Sequence, residues 1–370
     1  MSKIATAQVA VIWLLVMTLA ACSPLAATGE PTSAMPPTTA APPAPLIHPA
    51  AGLTYSNAEG LWLIDEQGDP VLLSDQPTGR ISPDGRWIAY HSFGEGEAAD
   101  DIWLVGLTTG ERRNLTVTPG RFEWDVAWWP GRPDVIVFGS DVGAGVGEGY
   151  PTVVGLDGSG YQVLDEAEGG PLALSPDGQM MAYGGYDHLG KVYSWDRGPE
   201  LFDPSQYGLA VEKLYRPAWS PDAQYLAWQV GGDLTGAGNW ELGIAIFDLE
   251  AGTARLLHTY EPAGGGTFPH YLAWSSDGKW LAFVTFAEPP ATGRQPNLWA
   301  ARPDGGEEVY VGAGTEPLWS PDGLRLAYIG AEQEIRLAEA GAWEFEHQAL
   351  PVNALLLRDW VASWPAVSEP

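Results

Sequence analysis

Cysteine is almost absent from this chain, which has 370 residues and a single Cys, at position 22. One thiol cannot form a disulfide within the chain, so no covalent cross-link contributes to stability. The stability of a folded domain must therefore come from buried apolar surface. A composition that is 45% hydrophobic and includes 18 Trp supplies enough of that surface.

Positive charge is also scarce, because 18 Lys and Arg stand against 47 Asp and Glu, a formal net charge of −29. So acidic a chain repels phosphate backbones, and we therefore expect no nucleic-acid partner. The sequence also has no Gly-x-Ser-x-Gly elbow and no phosphate-binding loop, and no His-x-His or Glu-x-x-His spacing links the four His residues considered below as metal candidates. We therefore assign no catalytic residue, no cofactor and no metal as the favoured interpretation.

Only one long apolar run is present, and it lies at the N-terminus. Lys3 precedes an almost wholly apolar stretch over 9–21, which is too short to span a membrane but fits a secretory signal. The string Leu19-Ala20-Ala21-Cys22 that ends it resembles the lipobox of bacterial lipoproteins. That resemblance implies cleavage before Cys22 and attachment of diacylglycerol to its thiol. The alternative is an ordinary cleaved signal in which the Cys is incidental.

The segments of the chain differ sharply in composition. Residues 1–21 form the predicted lipoprotein signal peptide. Residues 22–45 are rich in Pro, Thr and Ala, so they cannot bury enough surface to fold, and we predict a disordered tether. A folded domain is predicted over 46–364, followed by a short tail over 365–370. The lipid would hold this domain on the cell membrane or the outer membrane, facing the periplasm or the cell exterior.

One phrase recurs through the predicted domain, a Ser-Pro-Asp-Gly turn or a variant of it, flanked by apolar strand signals. Pro fixes φ at the second turn position, Asp bonds its own backbone, and Gly accepts positive φ, so each copy predicts a β-hairpin. Successive copies lie 43 to 55 residues apart, a spacing typical of propeller blades. The Asp residues of the six copies are Asp84, Asp134, Asp177, Asp222, Asp277 and Asp322.

This pattern resembles the TolB-type propeller repeat, a relative of the WD repeat, over residues 46–364. The resemblance implies an all-β propeller of four-stranded antiparallel blades. Six copies of the phrase give six blades. A seventh can be assembled from strands at 53–56, 61–65 and 71–74 with a C-terminal strand at 354–357, which would close the ring. Seven blades are therefore favoured, with six and eight as alternatives. Trp at repeated strand positions predicts packing between blades.

The longer loops of the repeats are expected on one face, opposite the Ser-Pro-Asp-Gly turns, because successive strands alternate in direction. Binding residues concentrate on loops that a rigid scaffold carries. We predict an acidic partner-binding face around the central channel, and the alternative is that these acids only keep the protein soluble. Its residues are Asp100, Asp101, Asp141, Glu148, Asp187, Asp233 and Glu288.

Four His residues could reach the same face, and converging imidazoles could hold a divalent metal. Some propeller polysaccharide lyases, notably the oligogalacturonate type, use a metal in that way. The four candidates are His91, His188, His258 and His270.

The favoured function is a membrane-anchored, extracytoplasmic propeller that binds a protein, peptide or glycan as a monomer and catalyses nothing. TolB-type propellers are often recognition modules of the cell envelope, which is what the resemblance implies here. One alternative is a metal-dependent polysaccharide lyase or hydrolase that uses the His candidates. Another is a structural subunit of a larger surface assembly, which would expose a large apolar patch.

Overall fold

The computed structural model describes residues 47–92, 100–141, 149–165, 169–185, 189–260, 271–287 and 295–361. These residues form 27 β-strands and one short 3-10 helix, Pro204–Tyr207, and no α-helix. The all-β class predicted from the repeat is confirmed. No helix in these ranges is long and apolar enough to cross a membrane. Cys22, the predicted signal peptide and tether, and both predicted domain boundaries lie outside them.

The strands are numbered in chain order, and the first three sheets have four antiparallel strands each. The first sheet contains β1 (Leu53–Asn57), β2 (Gly60–Ile64), β3 (Pro70–Ser74) and, from the C-terminal end, β27 (Leu356–Trp360). The second contains β4 (Arg80–Ile81), β5 (Trp87–His91), β6 (Ile102–Gly106) and β7 (Arg112–Asn114). The third contains β8 (Glu123–Trp128), β9 (Val135–Ser140), β10 (Tyr150–Gly155) and β11 (Gln162–Val163).

The remaining strands form two four-stranded sheets and one seven-stranded sheet. The fourth sheet contains β12 (Gly169–Leu174), β13 (Met180–Gly185), β14 (Gly190–Ser194) and β15 (Gly198–Leu201). The fifth contains β16 (Lys213–Trp219), β17 (Tyr225–Gly232), β18 (Glu241–Asp248) and β19 (Thr253–Tyr260). The last contains β20 (Leu272–Trp274), β21 (Leu281–Ala287), β22 (Gln295–Ala301), β23 (Glu308–Trp319), β24 (Arg325–Gly330), β25 (Glu334–Glu339) and β26 (Gln348–Asn353).

The 12-residue strand β23 joins the two halves of the seven-stranded sheet. Its residues 308–313 pair with β22, whereas its residues 314–319 pair with β24. The sheet therefore consists of two four-stranded units that share one long strand. Counted in this way, the pairings are compatible with the seven blades that the sequence favours. The blade number itself stays a prediction.

The two ends of the described domain meet in the first sheet. Tyr55 of β1 is opposite Leu357 of β27, and Ser56 is opposite Leu356. The C-terminal strand thus pairs where the sequence predicted it, although it begins at Leu356 and continues to Trp360. The first strands of the sheets, which we call the inner strands, are β27, β4, β8, β12, β16, β20 and the second half of β23. Contacts between neighbouring sheets follow this order, and β23 contacts β27 to return to the first sheet.

Trp side chains at the ends of inner strands join neighbouring sheets by hydrogen bonds. In each case Nε1 donates to a main-chain oxygen on the inner strand of the preceding sheet, at 2.9–3.0 Å. The same bond therefore recurs with the period of the repeat, and it explains why Trp recurs at this position. The four pairs are Trp128 with Arg80, Trp219 with Ala173, Trp274 with Ala218, and Trp319 with Ala273.

The Ser-Pro-Asp-Gly turns are built alike in five copies. In each, the buried Ser hydroxyl donates to the Asp Oδ1 at 2.5–2.7 Å. The same hydroxyl accepts the N–H five residues later, at 2.8–3.0 Å. The Gly that ends four of these turns has φ of 68–72°, but the fifth turn has Ala223 there, with φ of 58°. The turn demands left-handed backbone, which strains a residue that has a Cβ.

Ala223→Gly is therefore expected to raise the free energy of unfolding by about 1 kcal/mol, because the strain of a left-handed L-residue is relieved. Gly278→Ala is the matched reversal, since its new Cβ would meet only Pro221 Cδ, at 3.9 Å, and it should lose a similar amount. Gly178→Ala should lose more, because its Cβ would overlap the carbonyl oxygen of Pro130. Urea unfolding of the three variants measures these differences. An Ala223→Gly variant no more stable than the wild type would contradict this account.

Candidate functional site

A cavity of about 540 Å³, which we call the central cavity, lies among the inner strands. Residues of β27, β4, β8, β12, β16 and β23 line it, together with His91 at the end of β5. Its volume is in the range of small-ligand sites, about 300–1,000 Å³. The cavity is thus formed by strands from most of the sheets and not by one loop.

The charged residues that line the central cavity carry both signs, although the chain as a whole is strongly acidic. Arg80, Arg216 and Arg358 face it with Asp125 and Asp359. Arg80 and Asp359 already form an ion pair, with Nη1 and Oδ1 3.4 Å apart. Arg80 Nη1 also donates to the main-chain oxygen of Arg358.

Irregularities in the inner strands place three of the charged residues. The strand pairing shifts register between residues 124 and 127, 214 and 217, and 315 and 318. Asp125, Arg216 and Glu316 lie in these three shifts, and each is three residues before the Trp that bonds the preceding sheet. An extra residue in one strand re-aims a side chain locally. The same repeat position therefore carries a charged group three times, of which Asp125 and Arg216 line the cavity and Glu316 acts on Arg216 from outside the lining.

Arg216 is the least satisfied of these groups. Its Nε is buried without a hydrogen-bond partner among the described residues, and no Asp or Glu of those residues is within ion-pair distance of it. Burial lowers the pKa of Arg216, against the opposing effects of Asp125, Tyr271 and Glu316. A buried charge that lacks a partner destabilises the folded state.

Arg358 is partly satisfied. Its Nη2 donates to Pro77 O at 2.9 Å, but its Nε is buried and has no partner in the described part of the chain. Burial and the nearby charge of Arg80 lower the pKa of Arg358 to about 10, against the attraction of Asp359 and Glu316. The guanidinium remains charged at neutral pH.

Glu316 is the acidic counterpart of these arginines. Burial raises the pKa of Glu316, while a hydrogen bond from Tyr271 and the charges of Arg358, Arg80 and Arg216 act in the opposite direction. Glu316 has φ of 56° and Asp125 has φ of 53°, both in the left-handed region. Such strain in residues other than Gly often marks functional sites.

His91 is neutral at pH 7. Burial lowers its pKa to about 4, although Asp125 favours the protonated form and Arg358 disfavours it. The Thr78 hydroxyl, which also lines the central cavity, donates to the main-chain oxygen of His91 at 2.7 Å. The Thr78 hydroxyl therefore does not donate to the His91 imidazole, as a nucleophile would donate to its general base.

The described members of the predicted acidic face lie outside the lining of the central cavity. Asp101 and Asp141 are buried, and Asp101 accepts hydrogen bonds from Asn114 and Thr118. Asp100 is half-buried with φ of 65°, and Asp233 is exposed and accepts from a main-chain N–H. The acidic face stays a prediction, because its other three members, Glu148, Asp187 and Glu288, lie outside the described residues.

The His candidates do not share one location. Whereas His91 lines the central cavity, His258 lies on β19, with Nδ1 3.0 Å from Glu308 Oε1 and its ring beside Phe283 and Trp299. His188 and His270 lie outside the described residues. Among the residues that the structure describes, no group of three or more His, Cys, Asp and Glu is placed to hold a metal ion.

The charged cavity was not predicted from the sequence. Binding residues were expected on the long loops, and the residues of the inner strands were expected only to pack between blades. The signal was present at the position three residues before the repeat Trp. Asp125, Arg216 and Glu316 are the charged residues at that position of the repeat. A charged residue at a repeated strand position is unusual in a propeller core unless a ligand or a partner uses it.

Comparisons with known proteins show the fold. No protein-family model matches the chain, and no curated protein matches it in sequence. A structure of oligogalacturonate lyase in complex with manganese matches with TM-score 0.57 and 15% identity, covering 77% of this chain and 84% of that one. The Cps50 (Swd1) β-propeller domain of Myceliophteria thermophila matches with TM-score 0.53 and 12% identity, covering 78% and 94%. TolB from Acinetobacter baumannii has TM-score 0.47 and 16% identity, covering 83% and 80%. The first two matches show that this chain is a β-propeller.

His91→Gln is expected to make the protein more resistant to acid. Between pH 6.5 and about 4 the unfolded chain takes up a proton on His91 that the folded chain excludes, so the His lowers stability as the pH falls. The free energy of unfolding of the variant relative to the wild type should therefore gain about 2 kcal/mol between pH 7.5 and pH 4.5. Urea unfolding at the two pH values measures it. A difference between the proteins that does not change with pH would refute a neutral, buried His91.

Proposed function

We propose that this chain is a lipid-anchored, extracytoplasmic β-propeller that binds a protein, peptide or glycan at the central cavity and catalyses no reaction. The observation that carries the proposal is the cavity itself. Arg216 and Arg358 each bury an Nε without a partner in the described residues. Groups that destabilise a fold are expected to persist where a ligand uses them.

The chemistry around the central cavity favours binding over catalysis. His91 stays neutral with a pKa of about 4, which is far from the operating pH that suits a general base. The arginines bear fixed charges that orient an anionic group and do not transfer protons at neutral pH. Such a site holds and positions its ligand.

A metal-dependent polysaccharide lyase or hydrolase is the alternative function. The likeness to oligogalacturonate lyase is a likeness of fold, at 15% identity. Of the candidate ligands, His91 lines the central cavity, and His258 lies elsewhere beside Glu308. Elemental analysis of the purified protein separates the two functions, because a stoichiometric divalent ion that disappears in His91→Gln would favour the enzyme.

Cys22→Ser is expected to move the protein from the membrane fraction to the soluble fraction. Two or three acyl chains hold a protein on a bilayer stably, and the variant cannot be acylated at this thiol. Fractionation with a carbonate wash and incorporation of labelled palmitate measure both effects. Ser23→Ala is the matched control and should remain lipidated. A Cys22→Ser protein that stays in the washed membranes would contradict the proposed anchor.

A photo-reactive amino acid at Leu172, which lines the central cavity, is expected to cross-link to the bound ligand in intact cells. The same amino acid at Leu201 is the control, because Leu201 is 66% exposed on the outermost strand β15. Mass spectrometry should find a protein, peptide or glycan attached at position 172 and not at 201. Apart from the cross-link, this ligand should show no chemical change. Equal cross-linking at both positions, or none at 172, would contradict a binding site in the cavity.

A further inference from the structure

We infer that the central cavity recognises a ligand that presents a carboxylate and a cationic nitrogen together, with Arg216 and Arg358 facing the carboxylate and Asp125 facing the cation. This inference rests on the proposed function and deepens it. It assigns both charges of the ligand to residues of the inner strands.

The charged side chains at the central cavity are of both signs. Arg80 and Asp359 satisfy each other across 3.4 Å, so they leave no unpaired charge. What remains at the cavity is two arginines, Arg216 and Arg358, and one carboxylate, Asp125, while Glu316 lies outside the lining but acts on both arginines. A purely cationic ligand would therefore leave the two arginines without compensation and a purely anionic ligand would leave Asp125 without it, whereas a zwitterion satisfies both signs.

The second step is the separation of these four groups. Arg216 and Arg358 both feel the charges of Asp125 and Glu316. No ion pair within 4.0 Å connects the four residues in the described structure, although they lie close enough to interact. Opposite charges that neighbour one another without contact leave a space, and ligand groups of opposite sign can occupy it with charge-assisted hydrogen bonds.

The third step is the backbone. Asp125 and Glu316 come from different sheets, β8 and β23, yet both adopt left-handed φ at the same position of the repeat. Glu is disfavoured in that conformation. Among the described residues, neither carboxylate accepts a hydrogen bond from the main chain of its own strand that would compensate for the strain. The strain is therefore consistent with a functional role for Asp125 in the cavity and for Glu316, which acts on its arginines from outside the lining.

Titration calorimetry of the Cys22→Ser chain at low ionic strength tests the inference with five probes. L-Alanine, the dipeptide of alanine, and a capped peptide with one lysine and one glutamate side chain carry both charges. Succinate and putrescine carry one sign each. At least one zwitterionic probe should bind ten times more tightly than either single-sign probe. Binding of alanine would indicate one residue as the source of both charges, and binding of the capped peptide alone would indicate side chains of a polypeptide.

Two variants test the assigned residues. Arg216→Met should weaken binding of the same probe at least tenfold, because a charge-assisted hydrogen bond is lost. Its melting temperature should stay equal or rise, since the variant removes a buried charge without a partner, whereas a purely structural Arg216 would give a lower value. Asp125→Asn should also weaken binding at least tenfold, because the carboxylate that faces the cation loses its charge. Arg197→Met is the control. It removes an exposed charge that does not line the central cavity, so it should leave the affinity unchanged.

The inference is overturned if succinate or putrescine binds as tightly as the best zwitterion, or if Arg216→Met binds that probe like the wild type. A cross-link at position 172 without binding of any zwitterionic probe would also overturn it, while the proposed function would stand. If no cross-link forms at 172 and none of the five probes binds, the proposed function fails together with it.

Discussion

The repeated hydrogen bond between a Trp indole and the neighbouring inner strand is the interaction on which this propeller depends. It joins an inner strand to the preceding one at 2.9–3.0 Å in four pairs of sheets, three of which follow one another from β12 to β23. The pairing of β27 with β1 connects the two ends of the chain in one sheet. Without a disulfide, these contacts and the buried apolar surface must hold the sheets around the central cavity.

The same inner strands carry two conflicting requirements. Their apolar residues pack between sheets, whereas their register shifts place Asp125 and Arg216 at the cavity and Glu316 where its charge acts on Arg216. The charged residue of each shift lies three residues before the Trp that bonds the preceding inner strand. The Trp hydrogen bond is therefore kept, although the strand pairing before it is irregular. A rigid ring can tolerate local strain and buried charge that a small single sheet could not.

Much of the fold could be predicted from the sequence because turn chemistry is local. Ser-Pro-Asp-Gly specifies its own hydrogen bonds, and five copies adopt the same geometry even where Ala223 replaces the Gly. The meeting of β1 with β27 could also be predicted, because an unpaired edge strand is unfavourable. The charged cavity could not be predicted from the sequence. The pattern of apolar and polar residues in a strand does not reveal a register shift, and the shift decides which side chain faces the cavity. The composition was misleading here, since a chain with a large excess of acids gathers three arginines at one cavity.

The continuity of β23 has a consequence for the placement of Glu316. Elsewhere the outer strand of one sheet is joined to the inner strand of the next by a connecting segment, but β23 passes from one role to the other without any intervening residue. No insertion can therefore accumulate at that junction without breaking a strand. Glu316 lies just beyond it, so its position relative to the outer strand is set by β23 itself and cannot vary with the length of a loop.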